Sequence, residues 1–109
     1  MMDVLFSGGP ILLGDDLVEG RALAVSDGRI GWIGRLADSP PAVRTVDLAG
    51  RMLLPGFIDV QVNGGGGVLF NDRQDVATLA VIAAAHARYG TTGLLPTLIS
   101  DRLDVFEAG

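Results

Sequence analysis

Leu54-Pro55-Gly56-Phe57-Ile58-Asp59-Val60-Gln61-Val62-Asn63-Gly64-Gly65-Gly66-Gly67 decides the fold, because the grammar of the chain changes across it. Before Pro55-Gly56, short β-type runs alternate with tight turns. Val4-Leu5-Phe6 and Ile11-Leu12-Leu13 are separated by Ser7-Gly8-Gly9-Pro10, and Ala22-Leu23-Ala24-Val25 and Ile30-Gly31-Trp32-Ile33 flank Asp27-Gly28. Asp-Gly between two such runs is a strong hairpin signal, since both central residues of a type I′ turn need positive φ. Thr45-Val46-Asp47-Leu48 and Met52-Leu53-Leu54 surround a further turn at Ala49-Gly50. The front half is therefore expected to be a small antiparallel sheet, with Phe6 and Trp32 in its core.

After Gly56 the order becomes strand, loop, helix, strand, which marks a parallel α/β unit. Phe57–Asn63 reads as the first strand, 71–89 as the helix and 91–99 as the second strand. Asn71 or Asp72 is the expected helix cap, Asp75 suits the positive end of the dipole, and Gly90 supplies the stop. Val76, Leu79, Ala80, Ala83 and Ala87 fall on one stripe at helical spacing, the face expected to pack on the sheet. Ser100 or Asp101 then caps another helical pattern through Leu103, Val105 and Phe106.

Composition limits what the chain can do. With 49% hydrophobic residues there is enough apolar material for a packed core. A net charge of −5 provides no basic patch for nucleic acid or anionic lipid. The absence of cysteine removes disulfides, thiolate nucleophiles and Cys-based zinc sites from this segment. The first residues do not form a secretory signal, and no apolar run reaches the roughly 18 residues a membrane span needs. A cytoplasmic protein with no nucleic-acid or membrane partner is the expectation.

Along the first strand Ile58, Val60 and Val62 point one way, and Phe57, Asp59, Gln61 and Asn63 the other. A parallel strand buried on both faces should be almost wholly apolar, so a polar row near its C-terminal end calls for a site there. Asp59 could equally be an internally satisfied structural group.

These residues also carry a resemblance. Pro55-Gly56-Phe57-Ile58-Asp59 resembles the entry to the first barrel strand of the amidohydrolase superfamily, where His-x-His usually follows. Gln61-Val62-Asn63 stands in its place here, followed by four glycines and Val68-Leu69-Phe70-Asn71. That pattern is similar to one branch of the N-acetylglucosamine-6-phosphate deacetylases, as is Gly90-Thr91-Thr92 with Leu95-Pro96-Thr97-Leu98-Ile99. The match runs from about 52 to 100. It implies the N-terminal part of a small β-sandwich over residues 1–54, followed over 55–109 by the first strands and helix of a TIM-type (β/α)8 barrel. The class is thus truncated, mixed β and α/β. The chain is expected to be cut before the catalytic residues, which the family carries as a Glu, two His and an Asp on later strands.

For function, the resemblance implies hydrolysis of an amino-sugar phosphate acetamide, giving glucosamine 6-phosphate and acetate. It implies no catalytic and no metal-binding residue in this segment, with Gln61, Asn63 and Gly64 lining the active site. Carboxamides are weak ligands beside imidazole, so loss of the His pair implies one divalent metal ion per subunit, zinc, bound by residues elsewhere. A homodimer is implied as well. Another superfamily C–N hydrolase is the nearest alternative. A nucleotide-binding module is disfavoured because a Gly-x-Gly-x-x-Gly count from Gly64 meets Leu69, and no Gly-Lys-Ser/Thr follows. A non-catalytic β-rich binding domain would leave the strand of Leu94–Ile99 with an open edge. His86, the only histidine, sits mid-helix and is expected to be a packed or surface residue rather than a ligand.

Overall fold

A computed structural model describes residues 1–108. Gly109, the last residue of the expected barrel segment, lies outside them. The chain divides into two compact units, Met1–Pro55 and Gly56–Gly109.

The first unit is built on a four-stranded sheet. Its strands are β1 (Met2–Ser7), β4 (Arg21–Ser26), β5 (Arg29–Arg35) and β6 (Ala42–Asp47), in the order β5-β4-β1-β6. The Asp27-Gly28 turn joins β4 to β5 as the dipeptide requires: Asp27 has φ 51°, Gly28 has φ 71°, and Ser26 pairs with Arg29 across it. Ala49 and Gly50 also take positive φ, confirming the second turn. Two expectations are corrected. The sheet is mixed rather than antiparallel, because β6 runs parallel to β1, from Met2 opposite Ala42 to Ser7 opposite Asp47. The run Ile11–Leu13 (β2) does not return on β1, and instead pairs with β3 (Asp16–Val18) in a separate ribbon. The Gly8-Gly9-Pro10 segment carries the chain off the sheet, and Ile11 bridges Leu53 in parallel. Leu5, Ala22 and Ala24 form the core of the unit, with Met2, Trp32 and Ala42 packed against them.

The second unit is one βαβ crossover. β7 (Phe57–Val62) and β10 (Thr91–Pro96) pair in parallel, with bulges that accommodate the glycine and proline of the second strand. Between them lie a short hairpin of β8 (Gly64–Gly65) and β9 (Val68–Leu69), and helix α1 (Val76–Ala87). A short helix α2 (Leu103–Ala108) follows. Both outer edges of the two-stranded sheet are open, so no closed barrel forms among the described residues. Nor is any helix long and apolar enough to cross a membrane.

The cap of helix α1 is Asp75, four residues later than the first expected cap, Asn71. Its carboxylate accepts the Thr78 amide at 2.7 Å. The packed face also differs from the expected stripe. Thr78 and Ile82 are buried, Leu79 is half-buried, and Val76 is 81% exposed. Every position of α1 except Thr78 and His86 is apolar, so periodicity could not orient it. Ile82, fully buried, packs with Val62 and Phe70, and with Leu79, Leu94 and Leu98 around them. Of the apolar row on β7, only Val62 is buried, while Ile58 and Val60 are 70% and 69% exposed.

Ile82→Ala is expected to cost about 2–5 kcal/mol in urea unfolding, and Val76→Ala less than about 0.5 kcal/mol. Equal losses would mean that the helix packs on its other face. The hydrogen bonds from Thr78, ahead of the ion pair with Arg73, hold the Asp75 carboxyl below its ordinary 3.8. The unfolded chain then binds the proton more readily, so this contribution is present above pH 3.8 and is lost as pH falls through the folded value. Asp75→Ala should therefore lower the unfolding midpoint at neutral pH, with the gap closing in acid.

Candidate functional site

Parallel pairing puts the C-terminal ends of β7 and β10 at the same end of the sheet, and the polar residues gather there. Strand alternation sends Val62 towards α1, and Asp59 and Gln61 to the opposite face. Gln61 is exposed. Asp59 accepts the amide of Gln61 through Oδ1 at 3.1 Å, so it is satisfied within its own strand.

Asn63, just beyond β7, has a fixed orientation. Its Nδ2 donates to the carbonyl of Thr97 and to Thr97 Oγ1, both at 3.0 Å. The carbonyl can only accept, so the nitrogen must face Thr97 and Oδ1 is turned away from it. Asn63 is thus both a clamp between the strand ends and a presented acceptor. Nothing in the sequence marked Thr97 as its partner, since the contact spans 34 residues.

Asn71, expected as a cap, is instead buried and ties the next turn to the end of β10. Its side chain accepts the Ile99 amide at 2.8 Å and donates to the Ile99 carbonyl at 2.9 Å. It also donates to Asp101 Oδ2 at 3.1 Å. The backbone amide of Arg102, and then Asn71, lower the Asp101 pKa below the usual carboxylate value. Asp101 thereby anchors the turn that follows Ile99 through its bonds to Asn71 and to the Arg102 amide.

The four glycines form a tight hairpin, not a phosphate cradle. Gly66 and Gly67, at φ 62° and 83°, make its two-residue turn, and Phe70 N closes its base on the Asn63 carbonyl at 2.7 Å. Gly64 is half-buried, and its carbonyl meets His86 Nε2 at 2.9 Å.

Zinc would require imidazole, thiolate or carboxylate donors. Gln61 offers a carboxamide, and the Asn63 nitrogen is already committed to Thr97. Among the described residues no three His, Asp or Glu side chains converge on a point. The residues present do not fit a metal ion, and the arrangement is a wall that can donate and accept hydrogen bonds.

Asn63→Asp is expected to set a carboxylate against two oxygens and cost about 1–3 kcal/mol at pH 7. Protonation restores a donor there, so the loss should shrink as pH falls. A variant as stable as the wild type across pH would refute the clamp.

No protein-family model matches the chain. It is 39% identical to the N-acetylgalactosamine-6-phosphate deacetylase of Shewanella sp. (strain ANA-3), a match covering 96% of this chain and 27% of that protein. To the N-acetylglucosamine-6-phosphate deacetylase of Bos taurus it is 35% identical, over 94% of this chain and 24% of that one. Among solved structures, the N-acetylglucosamine-6-phosphate deacetylase from Pasteurella multocida superposes with a TM-score of 0.87 at 35% identity, covering 99% of this chain and 28% of that one. The chain spans about a quarter of the length of these relatives.

Proposed function

We propose that this chain, homologous along its length to the N-terminal part of N-acetylglucosamine-6-phosphate deacetylases, supplies one wall of a deacetylase active site. The reaction of the whole protein is hydrolysis of the acetamide of N-acetylglucosamine 6-phosphate to glucosamine 6-phosphate and acetate. The observation that carries this reading is the near-complete superposition on the Pasteurella multocida enzyme, together with the polar row that ends in Gln61 and Asn63. A second substrate, the galactosamine epimer, is favoured by the name of the Shewanella relative.

In this proposal β7 and β10 are the first two strands of a (β/α)8 barrel, and the first unit is part of a small β-sandwich. Their open edges and the exposed Ile58 and Val60 are then surfaces for the remaining strands and helices. Gln61, Asn63 and Gly64 line the site. Asn63 presents Oδ1 to a donor on the substrate or on a held water, and the exposed Gln61 orients the same species. Neither transfers a proton at neutral pH, so these groups position and the chemistry belongs to residues outside the chain. One divalent ion per subunit, zinc, is likewise held elsewhere. The assembled protein is a cytoplasmic homodimer acting on a small phosphorylated amino sugar.

The test is acetate release by the protein that carries this chain, with N-acetylglucosamine 6-phosphate and N-acetylgalactosamine 6-phosphate offered in parallel, and metal counted on the same sample. Hydrolysis of at least one, lost on chelation, with one ion per subunit is expected. No acetate from either substrate refutes the function, and two tightly bound zinc ions per subunit refute the role given to Gln61 and Asn63.

A further inference from the structure

We propose that His86 is a positioning residue for this site: from α1, its imidazole pins the carbonyl of Gly64 and so fixes the backbone that leaves the Gln61-Val62-Asn63 wall. The proposal rests on the deacetylase reading above and deepens it. His86 Nε2 lies 2.9 Å from Gly64 O, and since a carbonyl only accepts, Nε2 carries the hydrogen. The half-buried ring thus turns Nε2 to the Gly64 carbonyl as a donor.

The glycine pattern supports the same contact. A Cβ on Gly65 would stand 2.9 Å from His86 Nε2, and one on Gly66 would stand 2.9 Å from Val81 Cγ1. The hairpin therefore lies directly on α1, and side chains there would lift it away from the ring. Asn63 and Gly64, adjacent in the chain, are held by different elements, the end of β10 and α1. His86 holds the carbonyl of Gly64 and Phe70 N holds the carbonyl of Asn63 at 2.7 Å, so the backbone on both sides of Gly64 is tied down. That backbone leaves Asn63, whose side chain Thr97 orients, so the contact made by His86 steadies the frame from which Asn63 is presented.

Three forms of the protein that carries this chain decide the matter: wild type, His86→Leu and His86→Gln. Gln keeps an N–H donor of similar reach, and Leu keeps bulk without one. Amide hydrogen exchange of residues 62–71 and of α1 is read alongside kinetics with N-acetylglucosamine 6-phosphate. In the Leu variant, exchange across the hairpin is expected to accelerate about tenfold with α1 unchanged. KM should rise about tenfold with kcat within about twofold, and the Gln variant should restore both. Unchanged hairpin exchange in the Leu variant overturns the pin. Accelerated exchange with unmoved KM and kcat makes the contact purely structural and overturns the positioning role. Should the Leu variant fail to fold, the Gln variant decides: wild-type exchange and KM uphold the proposal, and loss of hairpin protection overturns it. A wild type inactive on both sugar phosphates refutes the deacetylase reading, and the positioning role with it, while exchange still judges the pin.

Discussion

Two strands that run in the same direction cannot be joined by a tight turn, and the parallel pairing of Phe57–Val62 with Thr91–Pro96 imposes that constraint on the second unit. The chain must leave one end of the sheet and return to the other. The glycine hairpin and α1 occupy that crossover, and the Val62, Phe70 and Ile82 cluster holds them against the strands. Everything polar at the candidate site follows from this, since parallel pairing sets the ends of both strands side by side. Asn63 can reach Thr97, and Asn71 can reach Ile99, only because the strands finish together.

Local chemistry was legible where it was strong. Asp27-Gly28 announced its hairpin, and the alternation in Phe57–Val62 placed Asp59 and Gln61 on the face opposite Val62, whereas the helix expected to run to Gly90 ends at Ala87 with Arg88 as its cap. Partnerships over distance were not. The parallel pairing of β1 with β6 joins two ends of the first unit that no turn connects, and no dipeptide encodes it. The face of α1 is not legible in the sequence, because an almost uniformly apolar helix has no stripe to read. Asp75 was recognised as favourable at the helix start but not as the cap, because Asn71 and Asp72 offered equally good local chemistry.

The site divides in the same way. Gln61 and Asn63 stood out as polar residues where apolar ones were expected, so their presence at a strand end was legible. Their partners were not: Thr97 lies 34 residues from Asn63, and His86 lies 22 from Gly64. His86 was expected to be packed or exposed, and it is half-buried with a specific acceptor. A carboxamide has a donor end and an acceptor end that its neighbours can orient. Thr97 does the orienting for Asn63.

That clamp makes two distant positions depend on each other energetically. The nitrogen of residue 63 is spoken for by Thr97, so a change at 63 to an imidazole or a carboxylate alters what residue 97 must offer, and neither can drift alone without leaving a polar atom unsatisfied. Conversion between a carboxamide wall and a histidine pair is therefore not a matter of two neighbouring codons on one strand. It reaches into the second strand as well, because Thr97 would face a different partner.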